Sequence, residues 1–529
     1  VPDLSNWIDV RPVPLDHHGP ADRPFLPLPH DLSDQLGLRP IERIASLYPD
    51  KIAIDDGRLQ LTYAEVMDRA YGLAARIDAS VPPGGVVASL IGTSAAAPIV
   101  VMACVASART LVPIDAGHPV DRQRALFNES GAQALLVETG AAIDDSFVHA
   151  ALPRLVVNPS EATGVPRFAA PIDPEAPMLV IFTSGSTGRP KGIAFPYRTV
   201  RAMAQFVDMF HVNADDVILG IASLSTGGSR DVFSALTTGA TIRLLDIKRA
   251  GFAEALRVLG SGITLLSFVP TALRMVMNIP GIENAFRTLR ALDLHGEGIL
   301  ASDIELFRQK LPADCRISIT FGATETGLIF SWFVDEALVD GAICPAGYLI
   351  PGKQVAIVAD DGSFALPGDP GELIVRGAMP LGGWQAGKLT HGSYLQDTDG
   401  SGGKIYRTGD LVRHRPDGLF EHLGRRDRRV KIRGLWAELS EIEAALMTMP
   451  GVAEAVTVVR QVANDADEIV AFVVAEPGGA VPEEPAMRST IADATAEHMV
   501  PAEFRVLDQM PRLANFKADL VRLAAMLDG

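Results

Sequence analysis

Between residues 183 and 191 the chain reads Thr183-Ser184-Gly185-Ser186-Thr187-Gly188-Arg189-Pro190-Lys191. Glycines let a backbone come close to a ligand, and successive N–H groups in such a loop form a nest for anions. The hydroxyls add donors, and Arg189 and Lys191 add positive charge. This set of groups suits a polyphosphate, most simply ATP with magnesium. It is not a Walker loop, because no Gly-Lys pair is followed by Ser or Thr in the required register. An ordinary surface loop has the same composition, so the chemistry has to be decided by what stands around it.

The 529 residues imply several domains or one large multi-part enzyme. A formal net charge of -17 leaves no basic excess to neutralise a nucleic acid. Arg425-Arg426-Asp427-Arg428-Arg429 is a local basic run, read equally well as a solvated loop. Cys104, Cys315 and Cys344 lack metal-ligand spacing and fit buried thiols in a reducing compartment. His17-His18 is a poor metal pair, since adjacent residues on a polar leader are seldom both ligands. The apolar stretch Ala95 to Ala108 contains Pro98 and is too short to span a bilayer, so it reads as a core helix. With no signal peptide visible, a cytoplasmic protein without a membrane partner is expected. The first residue is Val1, which fits a processed chain or a piece of something larger.

These groups need elements to hold them. Residues 1–39 are rich in proline and charge and read as a leader. From 40 onward, strand candidates Val86–Ile91, Ala134–Val137, Met178–Phe182, Val217–Ala222, Thr241–Leu245, Ile263–Val269 and Ile317–Phe321 alternate with helical patterns such as Tyr63–Ile77 and Ile304–Lys310. That alternation predicts an α/β core of parallel-rich sheets covered by helices. From 350 to 425, short alternating segments such as Gln354–Val358 and Glu372–Val375 are separated by Gly- and Pro-rich turns and predict a barrel-like β region. Residues 426–529 predict a small α+β domain: helix Glu438–Met447, strands Ala453–Arg460 and Glu468–Val474, helix Ala486–His498, strand Phe504–Leu507. The domain reading is thus 1–39 leader, 40–425 core and 426–529 lid.

Six segments occur in order: Leu61-Thr62-Tyr63-Ala64-Glu65; Leu111-Val112-Pro113-Ile114-Asp115; the loop above; Phe321-Gly322-Ala323-Thr324-Glu325; Tyr406-Arg407-Thr408-Gly409-Asp410-Leu411; and Gly424-Arg425-Arg426-Asp427 with Val430-Lys431-Ile432-Arg433-Gly434. Over residues 40–520 this set resembles the adenylate-forming superfamily of acyl-CoA synthetases, luciferases and nonribosomal peptide synthetase adenylation domains. Val430 to Gly434 followed by Glu438-Leu439-Ser440-Glu441-Ile442-Glu443 looks most like the peptide synthetase branch. The resemblance implies that a carboxylic acid is activated with ATP and Mg2+ to an acyl-adenylate, then passed to the phosphopantetheine thiol of a carrier protein. No carrier domain is recognisable before Gly529, so the carrier is expected on another chain or outside this sequence.

The roles carried over are these. Thr183, Ser184, Gly185, Ser186, Thr187, Gly188 and Lys191 would hold the β- and γ-phosphates. Thr324 would contact the α-phosphate and Glu325 would hold magnesium. Phe321, with Gly322 beside it, would stack near adenine. Asp410 would accept both ribose hydroxyls, and Arg425 would reach the ribose-phosphate side. Gly296 and Glu297 lie in a stretch matching a relaxed dinucleotide fingerprint, but no βαβ unit with a suitable acid follows. In the family this stretch lines the adenine and acyl pockets. Asp427 matches the hinge and Lys517 the lid lysine that bridges substrate carboxylate and phosphate. Phe516 stands where the family has glycine.

In relatives that activate α-amino acids, an aspartate grips the ammonium; counting from Asp231-Val232-Phe233 places Thr226 there. A buried ammonium without a carboxylate is costly. The expected substrate is therefore a hydroxy, keto, aryl or other acid without an ordinary α-amino group. The remaining pocket positions by the same count are Gly227, Arg230, Ser267, Asp293, His295, Thr320, Leu328 and Ile329. Arg230, Asp293 and His295 either bind a polar substrate tail or pair with one another, and Asp293 could also hold a displaced amine. Two rival functions remain, an acyl-CoA ligase and a non-catalytic module of an assembly line.

Overall fold

The computed structural model describes residues 7–8, 37–141, 152–184, 190–199, 206–247, 249–250, 252–277, 279–397, 403–432, 435–460, 467–513 and 517–527. Two large sheets form its body. One runs, in spatial order, Tyr348–Leu349, Gly327–Phe333, Arg316–Ala323, Ala291–His295, Leu265–Phe268, Val217–Gly220, Thr241–Leu244, Ile52–Asp55 and Gln60–Thr62. Its middle strands pair in parallel, and the Arg316–Ala323 strand turns back antiparallel into Gly327–Phe333. The other runs Lys388–Thr390, Gly382–Gln385, Pro190–Pro196, Pro177–Ser184, Thr110–Ile114, Val86–Leu90, Ala134–Glu138 and Arg154–Val157.

Helices Tyr63–Ser80 and Ala96–Ala106 pack with both sheets in one apolar cluster that includes Ile54 and Ile242 from the first sheet and Val87 and Leu111 from the second. All 11 residues of Ala96–Ala106 are buried, which explains why that helix has no polar face. The Tyr63–Ser80 helix starts where Thr62 and Glu65 exchange side-chain bonds with each other's backbone N–H, at 3.3 and 2.9 Å. Such a capping box stabilises a helix start by about 1 kcal/mol.

The β-rich part is a five-stranded antiparallel sheet, Lys353–Val358, Gly371–Gly377, Lys404–His414, Tyr394–Gln396 and Phe420–Arg425. Ile8 bridges to its outer strand at Val355, and Arg376 lies 4.4 Å over the Trp7 ring. The Gly382–Thr390 hairpin leaves this part and extends the second large sheet against Pro190–Pro196. Its tip closes the end of helix Val120–Ser130: the Trp384 indole donates to the Ser130 carbonyl at 3.0 Å and the Gly387 N–H to the Glu129 carbonyl at 3.0 Å. A Cβ on Gly131 would sit 2.3 Å from Gly387 Cα, so the two backbones touch directly.

The smaller C-terminal domain has a three-stranded sheet, Val452–Arg460, Glu468–Ala475 and Glu503–Leu507, under helices Leu439–Met447 and Glu484–Ala494. The helix predicted to reach His498 ends at Ala494. There Thr495 turns extended (φ -133°, ψ -157°), and a separate 3-10 turn follows at Glu497–Met499. A hairpin of Arg429–Ile432 and Leu435–Glu438 precedes the domain. Among the described residues, no helix is long and apolar enough to cross a membrane.

Candidate active site

The Arg316–Ala323 strand is the spine of the site. The Thr320 hydroxyl donates to Asp293, Phe321 follows it on the strand, and the turn beyond Ala323 carries Thr324 and Glu325. Gly322 is fixed by space, because a Cβ there would lie 2.2 Å from the Gly327 carbonyl. Opposite the turn, Lys191 pairs with Thr183 across the two strands that flank the hydroxyl-rich loop. The Thr183 hydroxyl donates to the Lys191 carbonyl at 3.3 Å. Lys191 Nζ donates to Ser393 Oγ at 3.0 Å and stands 3.8 Å from Glu325 Oε1. Gly185, Ser186, Thr187 and Gly188 lie outside the described residues, as does the Ser184 side chain. Among the described residues no cluster of three or more acids, histidines or cysteines could cage a metal. One carboxylate is what magnesium needs when phosphates supply most of its other ligands, and Glu325 fits that part.

Among the residues expected at the nucleoside, the Phe321 ring is 4.9 Å from His422 and 5.7 Å from Phe330. His422 Nε2 is 3.3 Å from Asp410 Oδ1, and Arg425 Nη1 is 3.6 Å from the same oxygen. Asp410 and Arg425 are register partners on neighbouring strands. His422, which touches both the aromatic and the acid, was not singled out from the sequence. Its only signal is its position two residues before Gly424 on the Arg425 strand.

Gly296 has φ +86°, and a Cβ there would meet Val269 Cγ1 at 3.3 Å and Lys517 Cε at 4.0 Å. The exposed Lys517 therefore lies against the end of the Ala291–His295 strand. Glu297 is occupied structurally, accepting from the Thr271 N–H at 3.2 Å and hydroxyl at 2.6 Å in the first turn of helix Pro270–Met277. Asp427 lies in the 3-10 turn Arg426–Arg428. Its neighbours divide their loyalties. Arg426 donates to Glu372 of the β-rich part at 2.9 Å, and Arg428 to Glu443 of the small domain at 2.6 Å. Burial alone would raise the Glu372 carboxyl, but its bonds to Arg407 and Arg426 hold it below the usual range. Arg425, Arg426 and Arg428 thus each face a carboxylate rather than only solvent.

At the positions expected to form the acyl pocket, the charged residues pair with one another. Asp293 is 0% exposed: its Oδ1 accepts from Ser318 at 3.0 Å and Thr320 at 2.9 Å, and its Oδ2 from Ser267 at 2.8 Å. Arg230 donates to Ser267 at 2.7 Å and Asp231 at 3.2 Å, and its Nη1 is 3.6 Å from Asp293. Asp293 has no open face for a displaced amine. Burial raises the Asp231 carboxyl, partly offset by Arg230. Burial also pushes the His295 imidazole down to about 4; Asp293 opposes this, while Arg230 and Lys517 add to it, so the ring is neutral at pH 7. Thr226 is exposed and its hydroxyl donates to the Ser223 carbonyl at 3.1 Å. Gly227 has φ +134° and faces open space. Leu328 is half-buried, whereas Ile329 is fully buried with Phe330, Leu349 and Val355 in the core of the β-rich part.

Residues 41–384 match the family model of the AMP-binding enzymes, and residues 441–517 match that of the AMP-binding enzyme C-terminal domain. The chain is 30% identical over 488 residues to a phenyloxazoline synthase of Mycolicibacterium paratuberculosis, covering 90% of this chain and 41% of that protein. It is 30% identical over 491 residues to tyrocidine synthase 3 of Brevibacillus parabrevis, covering 90% of this chain and 7% of that protein. It therefore spans less than half the length of these relatives. In fold it is similar to Klebsiella oxytoca NpsA, solved with 3-hydroxyanthranilyl-AMSN, at a TM-score of 0.77 and 20% identity, covering 93% of this chain and 99% of that one. It is likewise similar to the anthranilate CoA ligase AuaEII solved with anthranoyl-AMP, at a TM-score of 0.77 and 19% identity, covering 95% and 98%.

Proposed function

The chain belongs to the AMP-binding enzyme family and is an adenylate-forming ligase, and from that premise we propose that it activates a carboxylic acid without an α-ammonium group and loads it onto the phosphopantetheine thiol of a carrier protein. The substrate carboxylate attacks the α-phosphorus of ATP. The bond to the β-phosphate breaks and pyrophosphate leaves. Two anions must meet, so the catalytic task is to orient them and offset charge growing at phosphorus. Lys191 and the loop before it serve the leaving phosphates, Thr324 the α-phosphate, Asp410 the ribose and Phe321 the adenine. Lys517 supplies a cation between the two reactants. Glu325 would hold magnesium, which when bound would supply positive charge that offsets part of the phosphates' negative charge. In the second half-reaction the carrier thiol attacks the acyl carbon and AMP leaves. We place the division between core and lid at 425/426, where Arg426 and Arg428 bind opposite sides.

The observation that carries the substrate reading is the state of the pocket's acids. Thr226 stands where an ammonium would need a carboxylate, Asp293 is saturated by three hydroxyls, and Asp231 is bound to Arg230. Relatives named as peptide synthetases support a carrier as acceptor. The test is ATP–pyrophosphate exchange over matched acids that differ only at the α-carbon. Exchange is expected with α-hydroxy, α-keto or aryl acids; clear preference for a standard α-amino acid would overturn the reading. Thioester formation on free coenzyme A, with none on a carrier, would transfer the assignment to an acyl-CoA ligase.

A further inference from the structure

The proposed mechanism makes no use of Lys353, a residue only 6% exposed at the start of the Lys353–Val358 strand. It donates to the carbonyls of Thr326, at 2.6 Å, and Ala378. No carboxylate lies within ion-pair reach of it among the described residues. Burial pushes this ammonium down to about 8, with Arg198 adding to the effect. Buried charges are ordinarily paired, because an unpaired one is expensive, so this position points to a use that offsets the cost.

The carbonyl it holds belongs to the turn that displays Thr324 and Glu325. The preceding carbonyl, that of Glu325, accepts from the Tyr394 hydroxyl at 2.7 Å, and Tyr394 is 7% exposed. Two successive carbonyls of one turn are therefore held by two buried side chains of the β-rich part. Tyr394 is itself fixed by the Tyr406 ring at 5.3 Å and by Lys404 Nζ, 5.8 Å over its ring. The residue before it, Ser393, takes the bond from Lys191 Nζ at 3.0 Å. The dipeptide Ser393-Tyr394 thus holds the lysine on one side and the acid's backbone on the other, with 3.8 Å between Lys191 Nζ and the Glu325 carboxylate.

We propose that Lys353, Tyr394 and Ser393 form a brace that sets the spacing between Glu325 and Lys191, making them positioning residues for the β- and γ-phosphates. This rests on the adenylation reading above. A carbonyl dipole released from either anchor lets the turn drift, and drift moves the Glu325 carboxylate away from the phosphates.

The test compares two ligands by calorimetry in the presence of magnesium: inorganic pyrophosphate, which reports the braced end, and adenosine, which reports the Phe321–Asp410 end. Tyr394→Phe and Lys353→Met should each weaken pyrophosphate binding about three- to tenfold, the range for one net hydrogen bond, while adenosine binds as to wild type. Ser393→Ala should act in the same direction but less, because that bond is exposed to water. If Lys353→Met does not fold, Tyr394→Phe, which retains the ring and its packing, carries the test alone. Equal weakening of both ligands would mean general loosening and would overturn the brace, as would wild-type pyrophosphate affinity in Tyr394→Phe. If wild-type protein bound no pyrophosphate and gave no exchange with any acid, the adenylation reading would fall and the brace with it. Wild-type binding with unchanged variants removes the brace alone.

Discussion

Replacing Lys517 with alanine separates the two half-reactions. The lysine is exposed; its carbonyl accepts from the Leu513 N–H at 2.8 Å, and, two residues on, the Asp519 N–H donates to the Pro511 carbonyl at 2.8 Å. Because the side chain is exposed, this is a surface substitution, and stability should stay within about 0.5 kcal/mol of wild type. A Cβ added to Gly296 would be 4.0 Å from Lys517 Cε, and in the proposed function the ammonium serves the substrate carboxylate and the α-phosphate. Unit charges about 4 Å apart attract by about 4 kcal/mol at an effective dielectric near 20 and by about 1 kcal/mol in bulk water. A lysine open to solvent on one side falls between, at about 2–4 kcal/mol, which is about 30- to 1000-fold in rate. ATP–pyrophosphate exchange should fall by that factor. Thioester formation from preformed adenylate should stay within about threefold, because the charge being neutralised has already left. Exchange reduced less than about fivefold, or transfer impaired as much as exchange, would refute the assignment.

Asp293→Asn should cost about 3–4 kcal/mol in chemical denaturation, the lower part of the range for breaking a buried pair, because Arg230 keeps Asp231; an unchanged midpoint would remove the network as a support of the pocket. Lys353, pushed down to about 8, also makes a pH prediction. Between about 8 and the ordinary lysine value near 10.4 the unfolded chain binds the extra proton, so the cost of burying the charge is full below 8 and is relieved as pH rises. The stability of wild type relative to Lys353→Met should therefore climb with pH over that window, by at most about 1.4 kcal/mol per unit. A flat difference would mean that the ammonium is not strained by its burial.

The parallel strands were legible because they are buried on both faces and read as continuous apolar runs. Val86–Leu90 and Ala134–Glu138 lie within a residue of their expected bounds. The Tyr63–Ser80 helix was legible at its start through Thr62 and Glu65, but it runs a turn further than its apolar pattern suggested. The contacts that cross the chain were not legible. Tyr394 meets Glu325 across 69 positions and Lys353 meets Thr326 across 27, and neither residue type advertises the meeting. His422 was missed for the same reason. The acids and bases at the expected acyl-pocket positions were placed by counting along the family resemblance, but only the geometry decided that Arg230, Ser267 and Asp293 bind one another. The short hairpin Arg429–Glu438 has too few residues for a period-2 pattern to stand out.

The Gly382–Thr390 hairpin makes the β-rich part a poor unit for exchange between relatives. Cutting at a compositional boundary near 350 and grafting the residues beyond it would strip the Pro190–Pro196 strand of its neighbour and uncap helix Val120–Ser130. The exposed edge would sit directly after the hydroxyl-rich loop and would invite pairing with another molecule. A recombinant chimera that keeps residues 382–390 with the recipient's own second sheet should remain monomeric where a cut at 350 aggregates. On the core–lid division proposed above, the splice to try is the Arg426–Arg428 turn, where Arg426 bonds Glu372 on one side and Arg428 bonds Glu443 on the other.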